Sequence, residues 1–200
     1  RKDNLIIFLL EYRLKGVDLD LKKTLELLLN DFSKNNIRYG LIGGFALGLW
    51  GISRTTLDLD FLVSRDDLDK LDDIMRLYEY NCVYRTENVS QYVSSIKLFG
   101  EIDFIHAFRR ISLKMIERAV EKEIFGGKLK IRVLKPEDII GLKLQASIND
   151  PSRSLKEYFD IESLMSHFKE KLDWKMIKEY FELFELKEKY DELKKKYYVE

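Results

Sequence analysis

The sequence predicts a mixed α/β (α+β) fold, in which a mixed β-sheet is flanked by helices and followed by a helical C-terminal part. Strand-like apolar runs alternate with helical patterns over the first two thirds of the chain. Gly126-Gly127 between two such runs predicts a hairpin, which favours a mixed sheet over a fully parallel one. After residue 152 the chain is charged, has no glycine or proline and shows helical spacing. We therefore predict a core at residues 1–135 and a helical part at residues 136–200.

The individual elements follow from their apolar spacing and from their end signals. Asp20 is a good N-cap for the first long helix, and Ser64 with Asp67 predicts a capping box for a later one. An additional amphipathic helix around residues 5–10 is expected to pack on the core. Helices are predicted at residues 21–35, 45–50, 64–78, 112–120, 136–148, 155–168 and 174–197, and strands at residues 38–42, 57–63, 81–85, 91–99, 101–107, 123–125 and 128–134.

The composition limits the classes of function. The 200 residues contain 35 Lys and Arg and 35 Asp and Glu, and this neutral balance argues against a dominantly electrostatic grip on nucleic acid. Cys82 is the one cysteine, so no intrachain disulfide forms, and a cytoplasmic location with Cys82 in the core is expected. The apolar run at residues 5–10 is too short to span a membrane, so no membrane partner is predicted.

A strand–glycine–helix turn is the first candidate site feature. Residues 38–42 predict a short buried strand that Gly43 and Gly44 interrupt before residues 45–50 resume as a helix. Such a turn offers free backbone N–H groups, which favour an anion such as phosphate. Glycine also allows a ligand to approach closely because it has no Cβ. A tight turn without a ligand is the alternative for these two residues taken alone.

Three carboxylates form the second candidate feature. Asp58 and Asp60 are two apart on a predicted strand, so their side chains share a face while the alternate residues point to the core. Asp103 lies on another predicted strand, opposite its apolar neighbours. Carboxylates crowded together repel unless a cation lies between them, and hard oxygen ligands suit Mg²⁺ with substrate phosphates. The sequence therefore predicts a Mg²⁺–triphosphate site.

In this order the motifs resemble the nucleotidyltransferase superfamily with the polymerase-β-like fold. The most similar group is the minimal nucleotidyltransferases of the AbiEii type, toxins of toxin–antitoxin systems. The resemblance covers about residues 37–165. Its motifs are Gly43-Gly44, then Arg54-x-Thr56-x-Asp58-x-Asp60, then Asp103, and downstream Lys143 followed by Arg153, Lys156 and Asp160.

The resemblance implies a Mg²⁺-dependent nucleotidyltransferase that moves a nucleoside monophosphate from an NTP to an acceptor hydroxyl. Two Mg²⁺ ions would be bound by the three aspartates, with Asp103 as the general base, and the acceptor would be RNA such as tRNA, a protein or a small molecule. A cognate antitoxin would be a partner. Many relatives carry Ser where this chain has Gly44. Without the serine hydroxyl, only backbone N–H donors remain at this position. Nucleotide binding is implied for Gly43, Gly44, Arg54, Thr56, Lys143, Arg153, Lys156 and Asp160.

Each residue also has a structural interpretation. Arg54 pairs with Asp58 or Asp60 in one alternative, and Thr56 orders the turn before the strand. In the structural alternative for Lys143, its side chain extends to the surface. In that for Arg153, Lys156 and Asp160, the three residues form a charge network on a helix surface. The alternative functions are an inactive nucleotide-binding or interaction module with the same fold, and a metal-dependent phosphohydrolase.

Overall fold

The computed structural model describes residues 21–54, 56, 58–94 and 100–198. The described chain forms two compact units, one comprising the chain up to Leu49 together with Ser53–Leu134, the other Trp50–Ile52 and the chain from Lys135 onward. The helix predicted around residues 5–10 lies outside the described residues. None of the described helices is long and apolar enough to cross a membrane.

The helices and strands alternate in the first unit, whereas the second unit contains helices. The first unit consists of α1 (Leu21–Lys34), β1 (Tyr39–Ile42), α2 (Gly43–Leu49), β2 (Leu59–Ser64), α3 (Leu68–Leu77), β3 (Tyr80–Arg85), β4 (Val89–Ser94), β5 (Glu101–Ala107), α4 (Arg110–Glu117), β6 (Val120–Ile124) and β7 (Leu129–Val133). The second unit consists of α5 (Pro136–Asn149), α6 (Ser154–Phe168), α7 (Trp174–Leu183) and α8 (Lys187–Tyr197).

The described strands form one seven-stranded sheet in the order β3-β4-β5-β2-β1-β7-β6. Strand β2 pairs antiparallel with β1 and parallel with β5, and β1 pairs parallel with β7. This arrangement confirms the predicted mixed sheet with flanking helices. It also brings β2 and β5, which are distant in sequence, side by side at the centre of the sheet.

Aromatic packing holds α1 against one face of the central strands. Phe32 of α1 lies 5.8 Å from Phe61 of β2, measured between ring centroids, and Phe61 stacks on Phe104 of β5 at 5.7 Å. All three side chains are fully buried. Because residues two apart share a face, this packing directs Asp60 and Asp103 to the opposite face of the sheet.

Several local predictions for the first unit are wrong in detail. Ser64 makes no capping hydrogen bond, because Asp67 instead accepts hydrogen bonds from the backbone and side chain of Arg38. The predicted two-residue hairpin is longer, since Phe125 already has a positive φ before the glycines and β7 begins only at Leu129. Cys82 is exposed rather than in the core, because β3 is an edge strand.

In the second unit, acidic residues in the first turn of α5 act as internal acceptors. Asp138 is buried and accepts a hydrogen bond from the Tyr180 hydroxyl at 2.5 Å, while Glu137 accepts one from the backbone of Asp173. The single helix predicted at residues 174–197 is divided in two. Glu185 has a φ of 58°, and the Leu186 N–H donates to the Phe181 carbonyl, which closes a Schellman-type helix end without glycine.

Candidate functional site

The candidate site lies where β1 ends and β2 begins. The register pairs Asp60 of β2 with Ile42 of β1 on one side and with Asp103 of β5 on the other. Paired residues on neighbouring strands lie about 4.8 Å apart and point to the same face. Asp60 and Asp103 are therefore side by side, as the sequence predicts, while Asp58 lies in a bend one residue before β2 and is exposed.

Gly43 is in direct contact with the Asp60 side chain. Its φ is +67°, a conformation that side-chain-bearing residues rarely adopt, and a Cβ placed there would lie 1.9 Å from Asp60 Oδ2. A residue with a side chain would have to displace the carboxylate. Glycine is therefore needed at position 43, because its lack of a side chain lets the backbone at the start of α2 approach Asp60.

Glycine is needed at position 44 because of a different neighbour, the side chain of Thr56. A Cβ at Gly44 would lie 2.7 Å from the Thr56 Cβ and 3.1 Å from its Oγ1. Thr56 Oγ1 also donates a long hydrogen bond of 3.4 Å to the Asp58 carbonyl. Thr56 therefore occupies the space that a side chain at position 44 would take, and it connects the α2 turn to the segment that leads to Asp58.

We expect Gly44→Ser to destabilise the protein by about 1–3 kcal/mol, because the new side chain overpacks against Thr56. Gly48→Ser on the same helix is the matched control, since a Cβ there meets nothing within 4 Å. Adding Thr56→Gly to Gly44→Ser should restore most of the loss. Thermal unfolding of the variants measures this, and equal melting temperatures for Gly44→Ser and Gly48→Ser would contradict the packing described.

Asp103 is in an environment that disfavours its negative charge. Its partial burial raises the pKa of its carboxyl above the ordinary value, and the charge of Asp58 raises it further, although a hydrogen bond from Gln91 opposes both. Gln91 Nε2 donates to Asp103 Oδ2 at 3.2 Å from the neighbouring strand β4. Gln91 is a site residue that the sequence did not indicate, because its position opposite Asp103 depends on strand register.

The carboxylates suit a cation that is shared with a substrate. Among the described residues no three His, Cys, Asp or Glu side chains already form a metal-binding group. Mg²⁺ usually binds through one or two carboxylates plus substrate phosphates rather than an all-protein cage. The adjacent Asp60 and Asp103, with the Asp58 charge acting on Asp103, fit that kind of site. Arg54 lies in the irregular segment just before Thr56 and is partly buried.

The four downstream residues of the resemblance all lie in the second unit. Lys143 Nζ is 2.9 Å from Glu157 Oε2 and 2.6 Å from Asp160 Oδ2, and the Lys143 side chain is only 12 % exposed. Arg153 pairs with the same Glu157 at 2.8 Å. Lys143 is thus held in a buried ion cluster instead of extending to the surface. Lys156 is exposed and makes no ion pair within the described part of the chain.

The ion cluster of Lys143, Arg153, Glu157 and Asp160 should make the stability of the protein sensitive to acid. Burial by itself raises the pKa of Glu157, but the hydrogen bond and charge of Lys143 and the charge of Arg153 outweigh it, so the pKa lies below the ordinary value. A depressed carboxyl pKa contributes stability that is present above the unfolded pKa and is lost as the pH falls through the folded pKa.

In urea unfolding from pH 7 downward, we expect stability to fall less steeply below about pH 4.5 in Glu157→Gln than in wild type. Parallel pH profiles would contradict this.

A cavity of about 720 Å³ lies elsewhere in the first unit, at the start of β1. Its walls include Tyr39 and three cations that already have partners. Arg38 binds Asp67, Arg132 donates to the carbonyl of Ile116, and Lys130 pairs with Glu121. Because β1 runs from this cavity toward Gly43, the cavity is at the end of the strand remote from the aspartates.

Comparison with protein families identifies the class of this chain. Residues 15–191 match the model of a family described as "Uncharacterised nucleotidyltransferase". No curated protein matches the sequence. The matched range includes every residue named above as part of the candidate site and of the ion cluster.

Several solved structures share the fold. The antibiotic-resistance factor ANT(2″)-Ia superposes with a TM-score of 0.60 at 14 % identity, over 87 % of this chain and 95 % of its own. The lincosamide antibiotic adenylyltransferase LnuA, solved with lincomycin, has a TM-score of 0.52 at 18 % identity, over 73 % and 97 %. An antigenic nucleotidyltransferase-like protein from Paracoccidioides brasiliensis gives 0.53 at 17 % identity, over 90 % and 94 %. At these identities the similarity establishes the fold.

Proposed function

This chain belongs to the nucleotidyltransferase family whose model it matches, and from that premise we propose that it is a Mg²⁺-dependent enzyme that transfers a nucleoside monophosphate from an NTP to an acceptor hydroxyl. One observation carries the proposal. Asp60 and Asp103 are paired in register on adjacent strands, beside the turn at Gly43, and the charge of Asp58 acts on Asp103.

The side chains divide the chemistry between them. Asp58, Asp60 and Asp103 would hold Mg²⁺, which when bound would supply positive charge to the triphosphate and to the departing pyrophosphate. Asp103 would accept the proton of the acceptor hydroxyl, whose oxygen attacks the α-phosphorus as the bond to the β-phosphate breaks.

The glycine turn would bind the phosphates. Gly43 and Gly44 have no side chains, so their backbone can approach an anion closely, and Gly43 also contacts Asp60. The proposed phosphate site would therefore adjoin the proposed metal site. Roles at the nucleotide for Arg54, Thr56, Lys143, Arg153, Lys156 and Asp160 stay predictions from the resemblance.

Label transfer tests the proposal. Each α-³²P-labelled NTP is incubated with Mg²⁺ or with EDTA, in the presence of RNA, of cellular protein, or of aminoglycoside and lincosamide antibiotics. We expect label on one acceptor class and equimolar pyrophosphate, only with Mg²⁺. NTP binding without pyrophosphate release would instead support the inactive nucleotide-binding module. Release of free phosphate would support a phosphohydrolase.

The three acceptor classes have different support. The antibiotic-resistance factor and the lincosamide antibiotic adenylyltransferase that share the fold make a small antibiotic a candidate. The AbiEii-type resemblance favours RNA or a protein, with the chain acting as the toxin of a toxin–antitoxin pair.

If the chain is such a toxin, its induced expression should arrest bacterial growth, and Asp60→Asn should abolish the arrest. Normal growth with soluble wild-type protein present would contradict the toxin role.

A further inference from the structure

We propose that Gln91 is a positioning residue, whose uncharged side chain orients the Asp103 carboxylate for Mg²⁺ without competing with the ion. Gln91 lies on β4 and belongs to none of the motifs that carry the family resemblance. The inference rests on the proposed function, since it takes Asp103 as a carboxylate that helps to hold the metal. It concerns residues of the first unit alone.

Gln91 reaches Asp103 because the sheet register places the two residues opposite each other. Strand β4 pairs antiparallel with β5, and Gln91 is the register partner of Asp103. Such partners point to the same face of the sheet, with Cβ atoms about 4.5–5.5 Å apart. Gln91 Nε2 donates a hydrogen bond of 3.2 Å to Asp103 Oδ2. Because β4 also pairs with β3, the amide is carried by a strand that is held on both sides and not by a loop.

The bond from Gln91 restricts the orientation of the Asp103 carboxylate. Within the described part of the chain it is the one hydrogen bond that this carboxylate receives, and it engages Oδ2 while Oδ1 stays available. Without it the carboxylate could rotate, because the terminal torsion of an aspartate is broad. Carboxylates that bind a metal are generally held by hydrogen bonds of this kind, and losing such a partner typically costs about 10–100-fold in metal affinity or activity.

The lack of charge on Gln91 suits a carboxylate that has to bind a cation. Elsewhere in the first unit a buried or half-buried aspartate is paired with an arginine, as Asp72 is with Arg85. A lysine or arginine at position 91 could also donate to Asp103, but its charge would neutralise the carboxylate and repel a metal ion at the same place. A neutral amide supplies the hydrogen bond and leaves the negative charge of Asp103 for the cation.

The surroundings of Gln91 argue against a role in folding. Its side chain is exposed, and Val89 and Val93, which share its face of β4, are only partly buried. On the opposite face of the strand Ser90 and Tyr92 are buried, so β4 is anchored through that face. A hydrogen bond that water can replace contributes only about 0.5–1.5 kcal/mol to stability. The effect of losing Gln91 should therefore appear in metal binding and not in the stability of the protein.

Calorimetric titration with Mn²⁺ tests the role of Gln91 without catalysis. The probes are Mn²⁺ alone and Mn²⁺ with each of the four α,β-methylene NTPs, which cannot be cleaved at the α-phosphate. Gln91→Met keeps the length of the side chain but cannot donate, so it should weaken metal binding about tenfold. Gln91→Lys restores a donor, so its melting temperature in EDTA should equal or exceed that of wild type. Its charge should nevertheless weaken metal binding at least as much as Gln91→Met does.

Gln145→Met is the matched control, since Gln145 is the other glutamine of the chain and is exposed on α5. It should bind the metal like wild type, and its melting temperature in EDTA should lie close to that of Gln91→Met. Wild-type metal affinity in either Gln91 variant, or a much lower melting temperature of Gln91→Met than of the control, would overturn the role of Gln91 alone. Absence of binding by wild type to every probe would contradict the proposed metal site as well. Because no bond is cleaved, a failure of nucleotidyl transfer leaves this result unaffected.

Discussion

Replacing Lys143 with methionine is expected to lower the free energy of unfolding by about 3–5 kcal/mol. Lys143 is the cation between two carboxylates that are both nearly inaccessible to solvent, with side-chain exposures of 3 % for Glu157 and 2 % for Asp160. Methionine has a similar length but no charge, so the two carboxylates would remain buried with their main counterion removed. Urea unfolding at pH 7 measures the loss.

Lys178→Met provides a control for the Lys143 prediction in the same helical unit. Lys178 pairs with Glu182 at 3.5 Å, with both side chains 49 % exposed, so its loss should change stability by less than about 1 kcal/mol. Combining Lys143→Met with Glu157→Gln and Asp160→Asn should recover part of the stability, because the buried charges are then removed together. Equal stability of Lys143→Met and Lys178→Met would show that the cluster is not a buried ion network.

Replacing Asp60 with asparagine is expected to reduce nucleotidyl transfer by about 10³-fold or more, which corresponds to about 4 kcal/mol of transition-state stabilisation. Asparagine keeps the shape that contacts Gly43 but removes the charge that would hold Mg²⁺. Asp103→Asn should cause a loss of similar size, because the proton acceptor is then absent. Initial rates of pyrophosphate release at saturating NTP measure both effects.

The stability of these site variants separates a functional role from a structural one. Asp58→Asn removes a charge that disfavours the ionised Asp103, so it should leave the melting temperature unchanged or raise it while activity falls. Asp69→Asn on the exposed surface of α3 is the control and should alter neither property. Full transfer activity in Asp60→Asn or Asp103→Asn would contradict the proposed catalytic roles.

Features that depend on local sequence were predicted well. The alternation of apolar and polar residues around Asp60 and Asp103 correctly placed Phe61 and Phe104 in the core, although Leu62 and Ser64 on the Asp60 face of β2 are buried too. The Gly43-Gly44 break marks the end of β1 and the start of α2. The mixed sheet followed from the hairpin signal, although the hairpin loop is longer than two residues because Phe125 takes a positive φ.

Features that depend on tertiary contacts were not predicted. Gln91 contacts Asp103 through strand register, which the sequence does not encode locally. The reason for Gly44 lies in Thr56, a neighbour across an irregular segment, and not in a missing serine hydroxyl. Lys143 was expected at the surface or at a phosphate, because its partners are on the following helix α6 and only packing brings them to it.

Thermal unfolding with each of the four NTPs is the most direct test of whether the site at Asp58, Asp60 and Asp103 binds a Mg²⁺–NTP complex. A ligand that binds only the folded state stabilises it by about 2.7 kcal/mol at one hundred times its Kd. We expect that at least one NTP raises the melting temperature of wild type with Mg²⁺ but not with EDTA, and that Asp60→Asn loses this shift. An absence of any shift in wild type, or an equal shift in Asp60→Asn, would contradict it.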